Sequence, residues 1–443
     1  MQEKTYWNQE LETMPVDKLR KLETEALQNQ LAYVYRQSPF YREKFDEKGV
    51  HPDTLKSRDD LARFPFTTKE DLRRTQESVG GLGGHQCAPM KDIIRIQGTS
   101  GTTGRPLLVG LTRSDVDLWN DMFARHAWTG GLRPDDVLIN PANFTLFVGG
   151  LSECSGAEYM GITVAPAPFV STGMEKFMEL VRDLKPTVLF STPSATAFLA
   201  AAVKEVLHIE PHQLNFKKGF LAGEALSEEE RKNIEETWGI VARNFYGLAD
   251  AGADIAAECG ASQGLHFCAQ GALVTEIVDP ETLAPLEMKA GVEGEIVFTT
   301  INRQATPVIR YRVRDMVRVY TDDCPCGRTG FRFHVIGRTD DMIKVKGVNV
   351  FPAAVKGIIQ NFAPVTTGEM RIVLPHPGPS FGENITIKVE AGDGLKPDEK
   401  EAMAQKIRGT IREKLVFTPR IEWVPADTFE KSQYKVEYFE KDY

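Results

Sequence analysis

The sequence has little of what marks secreted, membrane-spanning or nucleic-acid-binding proteins. Six cysteines in 443 residues are too few for a disulfide scaffold. No apolar run approaches the roughly 18 residues of a membrane-spanning helix, and the N-terminus, Met1-Gln2-Glu3-Lys4, has no hydrophobic signal core. Lysine and arginine number 53 against 62 acidic residues, a net charge of −9 that disfavours nucleic acid and anionic membranes as partners. We therefore predict a cytoplasmic protein with reduced thiols.

The residues that are present indicate a globular α/β protein with more than one domain. Hydrophobic residues make up 42% of the chain and charged residues 26%, and the length fits two or three domains. Strand and helix patterns alternate after residue 107, which predicts parallel sheets covered by helices. Residues 271–335 are β-rich and predict a small β-barrel or distorted sheet. We predict an N-terminal domain at 1–337 and a small mobile α+β domain at 338–443, with a hinge at 338–341.

A glycine-rich stretch, here called the glycine loop, spans residues 98–106 and follows a strand-like Ile-Arg-Ile. Its core reads Gly98-Thr99-Ser100-Gly101-Thr102-Thr103-Gly104. Glycines spaced by three let backbone N–H groups converge on an anion, and the hydroxyls add donors, so the pattern predicts a phosphate cradle. A solvated linker is the alternative. The nucleoside-triphosphatase phosphate loop is excluded, because no lysine follows the last glycine and Pro106 takes the place of a magnesium-binding hydroxyl.

Two later strands are predicted to end in turns that could meet a nucleotide. The first runs into Gly223-Glu224-Ala225. The second is predicted to end at a Tyr246-Gly247 turn that exposes an aromatic ring and the carboxylate of Asp250. An exposed ring stacks well on a purine, although core packing is the alternative for Tyr246. Asp315 follows an arginine-rich run and either pairs with arginine or binds a ribose diol.

Four further residues have the chemistry of a zinc site. Cys259, His266, Cys324 and Cys326 together supply three thiolates and an imidazole. With four protein ligands, zinc there would be structural and not catalytic. Cys268 could replace one ligand, and a group of buried reduced thiols is the alternative interpretation. Cys87 and Cys154 stand alone and are predicted to be small buried hydrophobes.

In this order, the motifs resemble those of the AMP-forming, adenylating enzymes, and within them the phenylacetate–coenzyme A ligase family. The matching segments are residues 38–41, 61–69, 258–259, 264–266, 324–328 and 347–352. The resemblance covers nearly the whole chain. It implies a two-step reaction in which a carboxylate attacks the α-phosphorus of magnesium-ATP to give an acyl-adenylate and pyrophosphate. Coenzyme A then displaces AMP to give a thioester.

The resemblance also assigns roles to residues. Thr99, Ser100, Gly101, Thr102, Thr103 and Gly104 would hold the phosphates and then pyrophosphate. The adenosine would be held by Gly223, Glu224, Ala225, Tyr246, Gly247, Asp315 and Arg338. Asp250 would help to hold magnesium, Lys435 would bridge the carboxylate and the α-phosphate, and Asp340 would be the pivot of the small domain. The acyl pocket would be lined by Asn143, Phe144, Phe147 and Gly149, within a stretch at 143–150 here called the acyl segment.

Several positions depart from the family pattern. They are Asp250 for glutamate, Ala249 for a hydroxyl residue, Arg314 for the glycine before Asp315, Tyr434 for the glycine before Lys435, and an acyl segment without tyrosines. We therefore expect an acid–thiol ligase acting on an aromatic or arylacetic acid, and the sequence does not name the acid. Two alternatives stay open: adenylation with transfer to a carrier-protein thiol or an amine, and a non-catalytic, zinc-stabilised nucleotide-binding homologue. A homodimer also stays open.

Overall fold

The computed structural model describes residues 4–99, 106–429 and 437–443 and divides into two compact units. The first unit comprises Met1–Gly223, Ile234–Val313 and Arg318–His334. The second comprises Glu224–Asn233, Arg314–Val317 and Val335–Tyr443. The predicted boundary at 337/338 and hinge at 338–341 stay predictions.

The α-helices occur throughout the described chain. They are α1 (Gln9–Glu12), α2 (Val16–Gln37), α3 (Pro39–Lys48), α4 (Lys69–Val79), α5 (Arg113–Gly130), α6 (Val148–Tyr159), α7 (Phe169–Thr172), α8 (Met174–Leu184), α9 (Pro193–Ala202), α10 (Glu228–Trp238), α11 (Pro352–Gln360) and α12 (Lys400–Leu415). Shorter helical turns lie at Pro52–Thr54, Arg58–Arg63, Met90–Asp92, Val203–Leu207, Pro211–Gln213 and Pro397–Glu399.

Among the described residues, the strands fall into an N-terminal set of fourteen and a C-terminal set of seven. The first strands are β1 (Ile93–Gly98), β2 (Leu108–Thr112), β3 (Val137–Asn140), β4 (Thr163–Pro166), β5 (Val188–Ser191), β6 (Lys218–Leu221), β7 (Val241–Leu248), β8 (Gly252–Glu258), β9 (Leu265–Phe267), β10 (Leu273–Val278), β11 (Pro285–Leu286), β12 (Glu293–Thr300), β13 (Tyr311–Tyr320) and β14 (Arg332–Arg338). The later strands are β15 (Ile343–Val345), β16 (Val348–Val350), β17 (Thr366–Leu374), β18 (Ser380–Phe381), β19 (Thr386–Ala391), β20 (Arg420–Val424) and β21 (Phe439–Lys441).

Local sequence explains where the central helix α5 begins and ends. The Thr112 hydroxyl accepts a hydrogen bond from the Asp115 backbone N–H, and the Asp115 carboxylate accepts one from the Thr112 N–H. This capping box satisfies two of the free N–H groups at the helix start. At the other end, Gly131 adopts a left-handed φ of 99°, which ends the helix at little steric cost. Between these caps, Phe123 and Trp128 pack into a buried apolar cluster against the sheet.

A twelve-stranded sheet is the centre of the first unit, and strands β13 and β14 contribute residues to both units. Its order is β11-β10-β12-β13-β14-β9-β8-β7-β6-β5-β3-β4. Strands β4, β3, β5, β6 and β7 pair in parallel, whereas β8 pairs antiparallel with β7 and β9. The α/β prediction is confirmed. For residues 271–335 we expected a small β-barrel or a distorted sheet, and the structure has a sheet. These residues continue the twelve-stranded sheet, because β8 pairs with the last parallel strand, β7, on one side and with β9 on the other.

The carboxyl ends of the parallel strands define where a ligand should bind. In open α/β sheets, ligands lie beyond those ends. The acyl segment follows β3, the Gly223 turn follows β6, and Asp250 follows β7. Three of the predicted site segments are therefore at the same edge of the sheet.

The second unit is a small α+β structure with its own apolar core. Strands β20, β19, β17 and β21 form one sheet, and β16, β15 and β18 form another. Ile359, Ile372, Ile387, Ile407 and Ile411 are fully buried between the larger sheet and helices α11 and α12. Within the residues described, neither unit contains a helix long and apolar enough to cross a membrane.

Candidate active site

The base of the glycine loop is held by the hairpin of β1 and β2. The Thr99 backbone N–H donates to the Leu107 carbonyl at 3.0 Å, and the Leu107 N–H donates to the Thr99 hydroxyl at 3.3 Å. Ser100, Gly101, Thr102, Thr103 and Gly104 lie outside the described residues. Thr99 is therefore fixed against Leu107, and the phosphate contacts of the glycine loop stay predictions.

The acyl segment contacts the first residue of the glycine loop. The Gly98 N–H donates to the Leu146 carbonyl at 2.7 Å, and Gly98 also forms a β-bridge with Phe147. The Asn140 side chain, at the end of β3, donates to the carbonyls of Gly149 and Gly150. The structure thus joins the predicted acyl and phosphate segments through their backbones.

Glycines are required where the acyl segment packs on itself. A Cβ on Gly150 would lie 2.6 Å from the Asn143 carbonyl oxygen, and one on Gly149 would lie 2.5 Å from the Phe147 ring. Asn143 and Phe144 are half-buried, whereas Phe147 is exposed. The segment therefore has both an apolar ring and polar groups at the sheet edge, as an acid-binding pocket needs.

The predicted turn at Tyr246-Gly247 is wrong, because both residues lie inside strand β7. A Cβ on Gly247 would lie 1.6 Å from the Ala253 carbonyl oxygen, so the glycine permits close approach of β8 and does not make a turn. The Tyr246 ring meets the Phe333 ring edge-on, with centroids 5.5 Å apart. A role of Tyr246 in adenine stacking stays a prediction.

Asp250 is buried, contrary to the exposed carboxylate that the sequence suggested. Its Oδ2 accepts a hydrogen bond of 2.6 Å from the Tyr311 hydroxyl, and its buried Oδ1 has no hydrogen-bond partner among the described residues. Burial raises the pKa of Asp250, although Lys69 and the Tyr311 hydrogen bond act in the opposite direction. An unpaired buried carboxylate oxygen fits the hard oxygen donor that Mg²⁺ prefers.

The turn after β6 divides between the two units. Gly223 has a φ of +82°, which favours glycine, and it belongs to the first unit. Glu224 and Ala225 belong to the second unit. Within that unit, burial and then several carboxylates, including Glu224, raise the pKa of Tyr438 to about 12.

Three predicted nucleotide and pivot residues form one ionic cluster in the second unit. Arg338 donates to Asp315 at 2.7 Å and makes two hydrogen bonds of 2.9 Å to Asp340. Burial lowers the pKa of Arg338, but the neighbouring carboxylates outweigh it and raise that pKa above its ordinary value. The structure therefore brings Asp315, Arg338 and Asp340 together. Lys435 lies outside the described residues.

The four predicted zinc ligands converge in the first unit. All four ligand atoms, from Cys259, His266, Cys324 and Cys326, lie within 4.8 Å of one another. The Cys259 and Cys324 sulfurs are 3.6 Å apart, and the Cys326 sulfur is 3.4 Å from the His266 Nε2. A tetrahedral zinc ion needs separations of about 3.8 Å between sulfurs and about 3.6 Å from sulfur to nitrogen. The geometry and the donor types both fit zinc.

Protonation within this group favours a thiolate. A hydrogen bond from the Cys259 thiol, followed by the effect of His266, lowers the pKa of Cys326 to about 2 against the effect of burial. The same hydrogen bond raises the pKa of Cys259. Cys268 is turned away, since its sulfur contacts the Thr129 hydroxyl and the His266 carbonyl.

Glu153, Asp254 and His126 were missed by the sequence reasoning. All three are buried and lie together in the first unit. The available signal was Glu153, a carboxylate set among the small residues of α6.

Comparison with known proteins identifies family models and relatives that match most of the chain. An AMP-binding enzyme model matches residues 12–302, and an AMP-binding enzyme C-terminal domain model matches residues 347–440. The chain is 34% identical over 441 residues to a phenylacetate–coenzyme A ligase of Thermus thermophilus, an alignment that covers 96% of each chain. It is 36% identical over 353 residues to the Escherichia coli K12 protein of the same name, covering 80% of this chain and 78% of that one.

The chain belongs to the phenylacetate–coenzyme A ligase family. Among solved structures, a 2-hydroxyisobutyryl-CoA ligase in complex with 2-HIB-AMP has a TM-score of 0.89 and 27% identity. That match covers 100% of this chain and 93% of the other. Family membership confirms the predicted enzyme class, an AMP-forming coenzyme A ligase.

One departure of this ligase from the family pattern has a visible backbone consequence. Arg314, where the family resemblance leads us to expect glycine, adopts a left-handed φ of 70°. Its carbonyl accepts a hydrogen bond of 2.7 Å from the Thr339 N–H. The backbone conformation therefore suits glycine, and this ligase keeps it with a bulky side chain at a steric cost.

Proposed function

We propose that this ligase converts an aromatic or arylacetic carboxylate into its coenzyme A thioester through an acyl-adenylate. The observation that carries the proposal is the 2.7 Å hydrogen bond from Gly98 to Leu146, which joins the base of the glycine loop to the acyl segment. The acyl segment lies at the edge of the sheet where the parallel strands end, and this hydrogen bond brings the base of the glycine loop to it. A carboxylate held by the acyl segment is then close to phosphates held by the glycine loop.

In the first step, a carboxylate oxygen attacks the α-phosphorus of ATP, and the bond to pyrophosphate breaks. We assign Thr99–Gly104 to the departing pyrophosphate, with Thr102 donating to it. Lys435 bridges the carboxylate and the α-phosphate. The unpaired buried Oδ1 of Asp250 supports a role in holding magnesium, which would neutralise phosphate charge.

In the second step, the coenzyme A sulfur attacks the acyl carbon, and AMP leaves. We assign Tyr246 and Gly247, with the turn Gly223-Glu224-Ala225, to adenine. Asp315 binds the ribose, and Arg338 reaches the ribose and phosphate. Asp340 is the proposed pivot, and its hydrogen bonds to Arg338 would have to break or reform if the hinge turns.

We further propose that Cys259, His266, Cys324 and Cys326 hold a structural zinc ion. Two observations support this proposal. The four ligand atoms lie within 4.8 Å of one another, and three thiolates with an imidazole are donors that zinc prefers. Zinc there would tie the end of β8 and strand β9 to the loop between β13 and β14. With four protein ligands, no position is left for substrate.

The decisive experiment is a panel of aromatic, arylacetic and aliphatic acids tested for ATP–pyrophosphate exchange and for thioester formation with free coenzyme A. We expect exchange without coenzyme A and thioester with it. Exchange without any thioester would point to a carrier protein or an amine as acceptor. Absence of exchange with every acid would reject catalysis, and Lys435→Ala is the matched inactive control. Metal analysis of the same sample tests the zinc assignment.

A further inference from the structure

A buried polar cluster in the first unit has no part in the reaction proposed above. Glu153 on α6, Asp254 on β8 and His126 on α5 are 3%, 2% and 2% exposed. The His126 Nδ1 lies 3.4 Å from an Asp254 oxygen, and the Glu153 and Asp254 carboxyl groups are hydrogen-bonded to each other. Buried carboxyl groups are costly, so such a cluster calls for a function.

The protonation of the cluster follows from its geometry. Two carboxyl groups that hydrogen-bond must share a proton. Burial, followed by the charge of Asp254, raises the pKa of Glu153, and burial raises that of Asp254 to about 7. Burial also lowers the pKa of His126 to about 3, so its ring is neutral. The pair therefore keeps a proton between its carboxyl groups at neutral pH.

Three side-chain atoms of the cluster have no hydrogen-bond partner among the described residues, namely Glu153 Oε2 and both ring nitrogens of His126. The Glu153 Oε2 is buried and accepts no hydrogen bond from the described part of the chain. Buried acceptors are nearly always satisfied, because an unmade hydrogen bond is costly. This oxygen can accept, and what it lacks is a donor.

The cluster is carried by elements that adjoin the segments assigned to the acid and to adenine. Helix α6, which carries Glu153, begins inside the acyl segment. Asp254 lies on β8, which pairs with β7 at Tyr246. The ring of Phe245, the neighbour of Tyr246, is 4.2 Å from that of His126. Glu153 itself lies within one helical turn of the end of the acyl segment.

We propose that Glu153 Oε2 accepts a hydrogen bond from a hydroxyl or amino group of the substrate acid. Glu153 is then a specificity-determining residue, Asp254 positions its carboxyl group, and the preferred acids carry a donor away from the reacting carboxylate. This inference rests on the proposed function, whose acyl segment it uses. A pocket built to satisfy a donor discriminates strongly against the analogue that lacks it.

The test compares phenylacetate with its 3- and 4-hydroxy and 3- and 4-amino derivatives. Dissociation constants are measured by calorimetry in the presence of AMP, and pyrophosphate exchange is measured in parallel. We expect wild-type protein to bind at least one substituted acid about tenfold or more tightly than phenylacetate. Glu153→Leu should abolish that ratio. Glu153→Gln should keep it, because its amide oxygen accepts and its amide nitrogen can donate to Asp254.

The control is Glu158→Leu, which changes an exposed carboxylate on the same helix and should leave the ratio unaltered. Equal affinities of wild-type protein for phenylacetate and all its derivatives would overturn the inference, whatever the variants do. A preference that survives in Glu153→Leu would also overturn it. A Glu153-dependent preference without any pyrophosphate exchange would instead uphold the subsite and reject the ligase function.

Discussion

Arg328 and Glu12 are 316 positions apart in the sequence, yet the Arg328 Nε donates to the Glu12 Oε2 at 2.9 Å. Their side chains are 7% and 2% exposed. The contact is part of a larger one, because the Tyr6 hydroxyl donates to the Cys326 carbonyl and the Thr329 N–H donates to the Glu12 carbonyl. The loop that carries two of the proposed zinc ligands therefore also anchors the start of the chain.

Removal of the metal should loosen that N-terminal segment. We expect chelation, or Cys326→Ser, to remove about one zinc per chain. Relative to wild-type protein at a zinc concentration about 1,000 times the Kd, the free energy of unfolding should fall by about 4 kcal/mol. Proteolytic cleavage before residue 16 should accelerate as well. Elemental analysis, denaturant unfolding and mass spectrometry of the fragments measure these effects. Cys268→Ala is the control, and equal loss of zinc from it would contradict the assigned ligand set.

The buried carboxyl pair should make stability depend on pH. Because the folded-state pKa of Asp254 is raised to about 7, above the unfolded value of about 3.9, its stabilising contribution is complete at low pH. That contribution falls as the pH rises from about 4 to about 7. Asp254→Asn removes the charge, so we expect its stability relative to wild type to improve between pH 5 and pH 8. Urea unfolding at both values tests this, and a relative loss toward pH 8 would refute it.

Arg314→Gly should relieve strain in β13. A left-handed conformation costs a residue with a Cβ about 1–2 kcal/mol, and glycine loses part of that gain through its greater freedom when unfolded. We expect the free energy of unfolding to rise by up to about 1 kcal/mol. Arg318→Gly, in the same strand, is the matched comparison and should be destabilising, since it loses the ion pair with Glu293 and no left-handed φ is recorded there. A lower melting temperature for Arg314→Gly would count against this explanation.

The glycine loop should matter for one half-reaction only. We expect Gly101→Val or Thr102→Val to slow pyrophosphate exchange by about 100-fold or more, because a donor to the leaving group is lost or displaced. Thioester formation from preformed acyl-adenylate should be nearly unchanged. Stopped-flow assays of the two half-reactions separate these effects, and equal losses in both would refute the assignment to pyrophosphate.

Local signals in the sequence were enough for most of the parallel half of the fold. Strands and helices alternate after residue 107 as predicted, from β2 and α5 to β6 and α10. The convergence of Cys259, His266, Cys324 and Cys326 was also predicted, because cysteine and histidine are the residue types that zinc prefers. Such features depend on residues close in sequence or on chemistry specific to a residue type.

The errors have a common physical origin in contacts between distant residues. Gly247 looked like a turn glycine because a close approach by Ala253 has no local signature. Asp250 looked exposed because its partner, Tyr311, is 61 residues away. Glu153 and Asp254 each resemble surface carboxylates until the sheet and α6 bury them together. None of these relationships can be seen in a short window of sequence.

The hydrogen bond from Gly98 to Leu146 has a consequence for how the two substrates influence each other. An acid that orders the acyl segment also restrains the base of the glycine loop, so part of the entropy that ATP binding would lose is already lost. Each substrate should then raise the affinity for the other. Thermodynamic linkage requires the two enhancement factors to be equal, which titrations of each ligand with and without a non-reactive analogue of the other would measure.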